Sequence, residues 1–157
     1  MRRRIITLAL AAAFLALAAC GLAGRKVTVW RAVSQYYLES GSAVQSEPVS
    51  VDAGLSDIEA AVTAFNTDTT DAELVRALPD GVSITGWELD GTELCLSVSP
   101  EYASVTGYWR TVADCCMVLT FCAIEGVERV SIYSEGTMLT AAMSAADIVL
   151  TDVTGAG

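Results

Sequence analysis

Residues Asp114–Gly136 read DCCMVLTFCAIEGVERVSIYSEG, with Cys115, Cys116 and Cys122 inside eight positions. The stretch is either a thiol or metal site, or a core helix running into a core strand. Apolar spacing favours the second reading. A helix is predicted from about Ser104 to Ile124, with Tyr108, Val112, Cys115, Leu119 and Cys122 forming a buried stripe at helical spacing. Arg110 and Asp114 stand four apart as a pair on its polar side. Glu125-Gly126 ends it, and VERVSIYS follows as a strand with Val130 and Ile132 facing inward.

The thiols themselves argue the same way. Zinc sites want four spaced donors, usually with histidine, and the chain has no histidine. Adjacent Cys115 and Cys116 point about 100° apart on a helix and converge poorly on one ion. A redox pair favours C-x-x-C at a helix start, where the dipole lowers the thiol pKa; these cysteines lie in mid-helix or later. The pairing class left open is a disulfide of Cys95 with Cys115, Cys116 or Cys122, in a chain directed out of the reducing cytoplasm. Otherwise free cysteine is a small buried hydrophobe that fills a core.

Upstream, VSITGWELDGTELCLSV reads as a β-hairpin turning at Asp90-Gly91. Its second arm sends Leu94, Leu96 and Val98 to the core and Cys95 to the wetter face. Ser56-Asp57-Ile58-Glu59 is a capping box that opens a helix carrying Ile58, Val62 and Phe65. A second box, Thr70-Asp71-Ala72-Glu73, predicts a short helix with Leu74, Val75 and Leu78, stopped by Pro79-Asp80-Gly81. VTVWRAV, residues 27–33, alternates as a strand. SQYYLESGSAVQSEPVSV reads as irregular, with short extended pieces. DIVLTDV, from Asp147, is one more strand-like piece before a Gly-rich end. The expected fold is α+β: a two-layer sandwich with helices on one face of a mixed or antiparallel sheet, in the order β-α-α-β-β-α-β.

The N-terminus has its own logic. Arg2, Arg3 and Arg4 precede an apolar run and then small residues, the layout of a secretory leader. The run is short for a spanning helix, which needs about 20 residues. LAACG, residues 17–21, is similar to the lipobox of bacterial lipoproteins, in which the cysteine thiol receives the lipid. Residues 1–19 are thus read as a leader, 20–26 as lipidated Cys20 and a short tether, 27–140 as the domain, and 141–157 as a strand-like segment with a loose tail. Losing the leader would take the net charge from −10 to about −13. So acidic a domain lacks the basic footprint of a nucleic-acid binder. Its expected membrane contact is the N-terminal lipid, helped by Arg25 and Lys26.

Catalytic signatures are missing as well. Without histidine there is no Ser-His-Asp or Cys-His arrangement, and no P-loop or dinucleotide glycine fingerprint occurs. Carboxylates abound, but Asp57, Glu59, Asp71 and Glu73 stand where helix starts favour negative charge. Trp30, Trp87, Trp109, Tyr36 and Tyr37 serve the core or half-core, or line a ligand or partner surface. No cofactor or metal is expected.

Taken in order, VTVW, ELVRALPDGVSITGWELDG, LSVSPEY and MVLTFCAIEGVERVSIYSEG give residues 27 to about 136 a pattern that resembles the GerM-type (GerMN) domain of sporulation, spore-germination and envelope lipoproteins. Leu78-Pro79-Asp80-Gly81, Asp90-Gly91, Leu96 to Tyr102 and Leu119 to Val130 occupy the slots of that pattern. NTDTT, residues 66–70, stands where the family usually has Gly-Pro. The resemblance implies an α+β domain similar to ring-building modules, without catalytic residues, assembling with an envelope protein or with itself. The alternative expectation is a small ligand-binding or carbohydrate-active lipoprotein using a two-carboxylate cleft.

Overall fold

The computed structural model describes residues 24–34 and 41–150. Strands β1 (Arg25–Val33) and β2 (Val44–Val51) precede helix α1 (Asp57–Asn66). Then come β3 (Leu74–Val75), β4 (Ile84–Asp90), β5 (Glu93–Val98), α2 (Gly107–Phe121), β6 (Arg129–Ser134) and β7 (Thr137–Met143). The class is α+β, with the strands divided between two sheets. One is antiparallel in the order β2-β1-β3; the other runs β4-β5-β6-β7 and is parallel only at β5–β6. A parallel neighbour needs a crossover, and α2 supplies it. The sheets take in residues on both sides of the expected 27–140 span, from Arg25 to Met143.

Both helices close over one core. Leu94, Leu96, Val130 and Ile132 are fully buried, as period-two alternation requires. Phe65 of α1 meets Phe121 of α2 with ring centroids 6.1 Å apart. The expected stripe on α2 is displaced by one residue: Val112, Ala113, Cys116, Met117, Thr120 and Phe121 are buried. Cys115, Leu119 and Cys122 are half-buried, and Tyr108 is exposed. This helix is apolar around much of its circumference, so spacing alone does not pick the inner line. The outer line is covered in part by the C-terminal segment, whose Ile148, Val149 and Leu150 face Tyr108 and Cys115 across a shallow groove. The helix is also shorter than expected. Pro100–Ser104 forms a separate 3-10 turn, and Gly107 at φ +63° starts the helix proper.

Other expectations are corrected. Thr70–Leu78 is not a helix: the Asp71 side chain accepts the Glu73 N–H at 2.9 Å, and Leu74 pairs with Val33 in β3. Short polar side chains compete with the helix for the backbone in this way. The stretch expected to be irregular contains β2, an eight-residue edge strand, and edges tolerate proline such as Pro48. The hairpin loop is Gly91-Thr92, because Asp90 pairs with Glu93. Gly91, at φ +61°, takes the loop position that needs a positive φ. TMLTAAM is the last strand, whereas Asp147 closes a 3-10 turn and Ile148–Leu150 are irregular. The rest of DIVLTDV lies outside the described residues.

The capping box at Ser56 forms as read. The Ser56 Oγ accepts the Glu59 N–H, and the Glu59 carboxylate accepts the Ser56 N–H at 3.0 Å. The far end of α1 has no basic residue in its last turn. Arginines from elsewhere take that role. Arg31, with no exposed surface, donates to the carbonyls of Phe65 at 2.9 Å and Ala64 at 3.0 Å. Its Nε donates to Glu47 at 2.9 Å. Arg76 donates to the carbonyls of Asn66, Leu78 and Pro79.

Removing one partner of a buried ion pair strands the other charge, at a cost of about 3–5 kcal/mol. Arg31→Met is therefore expected to lose stability of that order in urea unfolding at pH 7, and Arg31→Met/Glu47→Leu to regain much of it. A single variant within about 1 kcal/mol of wild type would contradict the network. The Glu59 carboxyl is held below its ordinary 4.5 by the Ser56 side chain and backbone. A depressed carboxyl stabilises above its unfolded pKa, and the effect is lost as pH falls through the folded value. Glu59→Gln should be less stable than wild type at pH 7, with the gap closing in acid titrations followed by circular dichroism.

Candidate functional site

Cys20, the expected lipid attachment site, lies outside the described residues, as do Tyr36 and Tyr37. The other four cysteines stand as free thiols in three environments. Cys116 is buried at the centre of the core. Cys115 and Cys122 sit on the flank of α2, where Cys122 Sγ donates to the Glu128 carbonyl at 3.5 Å. Cys95 alternates with the core-facing Leu94 and Leu96, so it lies on the outer sheet face beside Tyr133 and Glu88. Desolvation raises the pKa of all four. Asp114 adds to the rise at Cys115, and Glu93, Glu88 and Asp90 add to it at Cys95. Raised thiols stay protonated at neutral pH, the opposite of a nucleophile or metal ligand.

Several carboxylates are engaged locally. Asp57 pairs with Arg25 at 2.6 Å, Glu47 with Arg31, and Glu93 accepts from Ser131. Asp114 is the hub of a half-buried cluster. It accepts from Tyr102 Oη at 2.5 Å, from Arg110 Nε at 3.1 Å and from Thr140 Oγ1 at 2.8 Å. Arg110 also lies over the Tyr102 ring, 4.5 Å from its centroid. Glu59 and Asp147 are the carboxyls with shifted pKa values among the described residues, and both are lowered by capping bonds to serine. A glycosidase acid needs its pKa raised.

What the surface offers is shape and apolar area. Tyr108 and Trp109, 47% and 42% exposed, meet edge to face at 5.3 Å on the first turn of α2. Trp87 and Leu89, each 40% exposed, lie on β4 at the margin of the larger sheet. Between Trp87 and α1 runs an open groove of about 480 Å³, with Leu55, Val62 and Thr63 on its helix side. Trp30, the remaining tryptophan, is half-buried, and its backbone N–H donates to Thr120 Oγ1 at 2.9 Å. Sequence reasoning named Trp87 and Trp109 but missed Leu89, Tyr108 and the groove. Only the missing neighbour of β4 makes the first stand out.

The tandem GerMN domains of the sporulation protein GerM from Bacillus subtilis share this fold, with a TM-score of 0.54 and 16% identity. That match covers 73% of this chain and 40% of the GerM chain, so the present chain spans less than half of that length. A candidate lipoprotein from Clostridium perfringens aligns over 80% of this chain and 91% of its own, with 10% identity and a TM-score of 0.44. The sequence matches no protein-family profile, and no curated protein matches it either. The fold is GerMN-like, as the resemblance of residues 27 to about 136 implies.

Thiol labelling checks the cysteine environments. With a thiol-exchange reagent at pH 8, Cys95, Cys115 and Cys122 should react in the folded protein and Cys116 only on unfolding. Cys116→Ser should leave the fast phase intact, whereas Cys95→Ser should remove part of it. Equal rates at Cys116 and Cys95 would contradict the burial of Cys116.

Proposed function

We propose that this chain is a lipoprotein held outside the cytoplasmic membrane by lipidated Cys20. Its GerMN-like domain is non-catalytic and assembles with other envelope proteins. The observation that carries this reading is a GerMN-like fold placed behind a basic, apolar, small-residue leader ending in LAACG. Protonated thiols and lowered carboxyls support an interaction module over an enzyme. The two-carboxylate alternative draws no support from carboxyls whose shifts run against acid catalysis. Among the described residues no helix is long and apolar enough to cross a membrane; the proposed attachment is the lipid on Cys20. The likeness to GerM extends the proposal to sporulation or germination as the setting.

Fractionation of cells producing Cys20→Ser should move the protein from membrane to soluble material. A variant that stays fully membrane-bound refutes the anchor. Cross-linking in intact cells, followed by purification under denaturing conditions, should return a reproducible envelope partner. Recovery of the chain alone, uncross-linked, refutes the assembly role.

A further inference from the structure

The geometry points to the open edge of β4 as a strand-addition site for an extended, alternating apolar–basic segment of a partner protein. This inference rests on the interaction-module reading and names how the partner is held.

The hydrogen-bond parity of the hairpin fixes which groups are free. A two-residue loop closes on a hydrogen-bonded pair, here Asp90 and Glu93. Pairs then alternate, so Glu88–Cys95 is bonded while Leu89–Leu94 and Trp87–Leu96 are not. The N–H and C=O groups of Trp87 and Leu89 therefore point away from β5, toward the side where the sheet has no further strand. Past the bulge, Ile84 tests this parity. Its outward N–H and C=O are both taken by the Asn66 side-chain amide, each at 2.9 Å. Asn66 thus imitates a neighbouring strand at one end of the edge, and Trp87 and Leu89 remain open among the described residues.

Side chains define the occupant. Trp87 and Leu89 stand in register with Leu96 and Leu94, on the core-bearing face, and Trp87 also lines the groove against α1. An added strand places alternate residues there, where apolar side chains gain from burial. Its other residues fall on the opposite face, beside Glu88 and Asp90, with Glu93 across from Asp90. Opposite charges across a strand pair stabilise and like charges destabilise, and the whole chain carries −10. The same rule disfavours a second copy, because antiparallel β4–β4 pairing sets these carboxylates against their own kind. The other edges are guarded: β2 contains Pro48, β3 has two residues, and the register of β7 is broken twice.

The test uses the full-length chain in neutral detergent with a synthetic octapeptide alternating valine and lysine. Binding should slow hydrogen exchange at the Trp87 and Leu89 amides by about tenfold or more, and a valine–glutamate octapeptide should not. Leu89→Pro deletes an outward N–H that no ladder bond uses, so it should fold and lose binding. Should that variant fail to fold, the exposed Glu88→Lys/Asp90→Lys pair serves instead, with affinity expected to fall about tenfold. Unchanged exchange at saturating peptide overturns the site, as does protection on β7 instead, or binding unaffected by whichever of these variants folds. A dimer in sedimentation that Leu89→Pro abolishes would make the occupant a second copy and overturn the partner assignment. Partners recovered by cross-linking while the octapeptide fails would sink this edge and leave the interaction role standing.

Discussion

The guanidinium of Arg31, sealed from solvent toward the end of β1, ties that strand to β2 and to the last turn of α1. It carries five N–H donors in a fixed fork. Three of them are received, by Glu47 on β2 and by the last-turn carbonyls of Ala64 and Phe65. Those carbonyls are the negative end of α1, where positive charge is favoured. Glu47 in turn accepts from Thr69 Oγ1 and the Thr70 N–H, which sets the loop leading into β3. Burying such a pair is expensive, and the exchange succeeds only when nearly every donor and acceptor is met. Arg76 and the Asn66 amide extend the same junction to Pro79 and β4. One ion pair therefore fixes where a helix ends, and that ending fixes how the larger sheet begins.

A second polar centre does comparable work at the other helix. Tyr102, buried and next to the Asp114 carboxylate, has its pKa driven far above the ordinary phenol value, by burial first and by Asp114 second. Burial thus favours the neutral phenol, which donates to Asp114. Arg110 and Thr140 complete the carboxylate's shell, so the 3-10 turn, α2 and β7 are fastened at one point. This explains why TMLTAAM holds as a strand. Its alanines and methionines have weak strand preference, and its ladder is bulged, but Thr140 is anchored from outside the sheet.

Features set by neighbours in sequence were legible: the Ser56 box, the alternation of β5 and β6, the Arg110–Asp114 pair and a hairpin within one residue of its turn. Features set by distant partners were not. The Thr70 box has the same residue types as the Ser56 box but becomes a turn and a strand, because β1 offers Leu74 a ladder partner. Arg31 left a readable trace, since period-two parity places it with Val29 and Val33 on one face of VTVWRAV, and all three are buried. A charged residue on the apolar face of a strand predicts a buried acceptor, and Glu47 is it. Surfaces were the least legible. Whether Trp87 is core or contact depends on whether a strand lies beside β4, and no local pattern encodes that.

The carboxylates of β4 also bear on how such a protein lives. Under the proposed anchoring, copies share one membrane surface at high local concentration, the condition in which an open strand edge is most hazardous. Pro48, the shortness of β3 and the bulges of β7 make three edges poor templates for any strand. At β4 the guard is charge, and charge discriminates where proline does not. Glu88 and Asp90 repel an identical edge yet attract a basic one, so the residues that keep copies apart also select the partner. Specificity built from repulsion of the wrong pairing needs no extra contact area. That suits a small domain whose core already uses most of its apolar side chains.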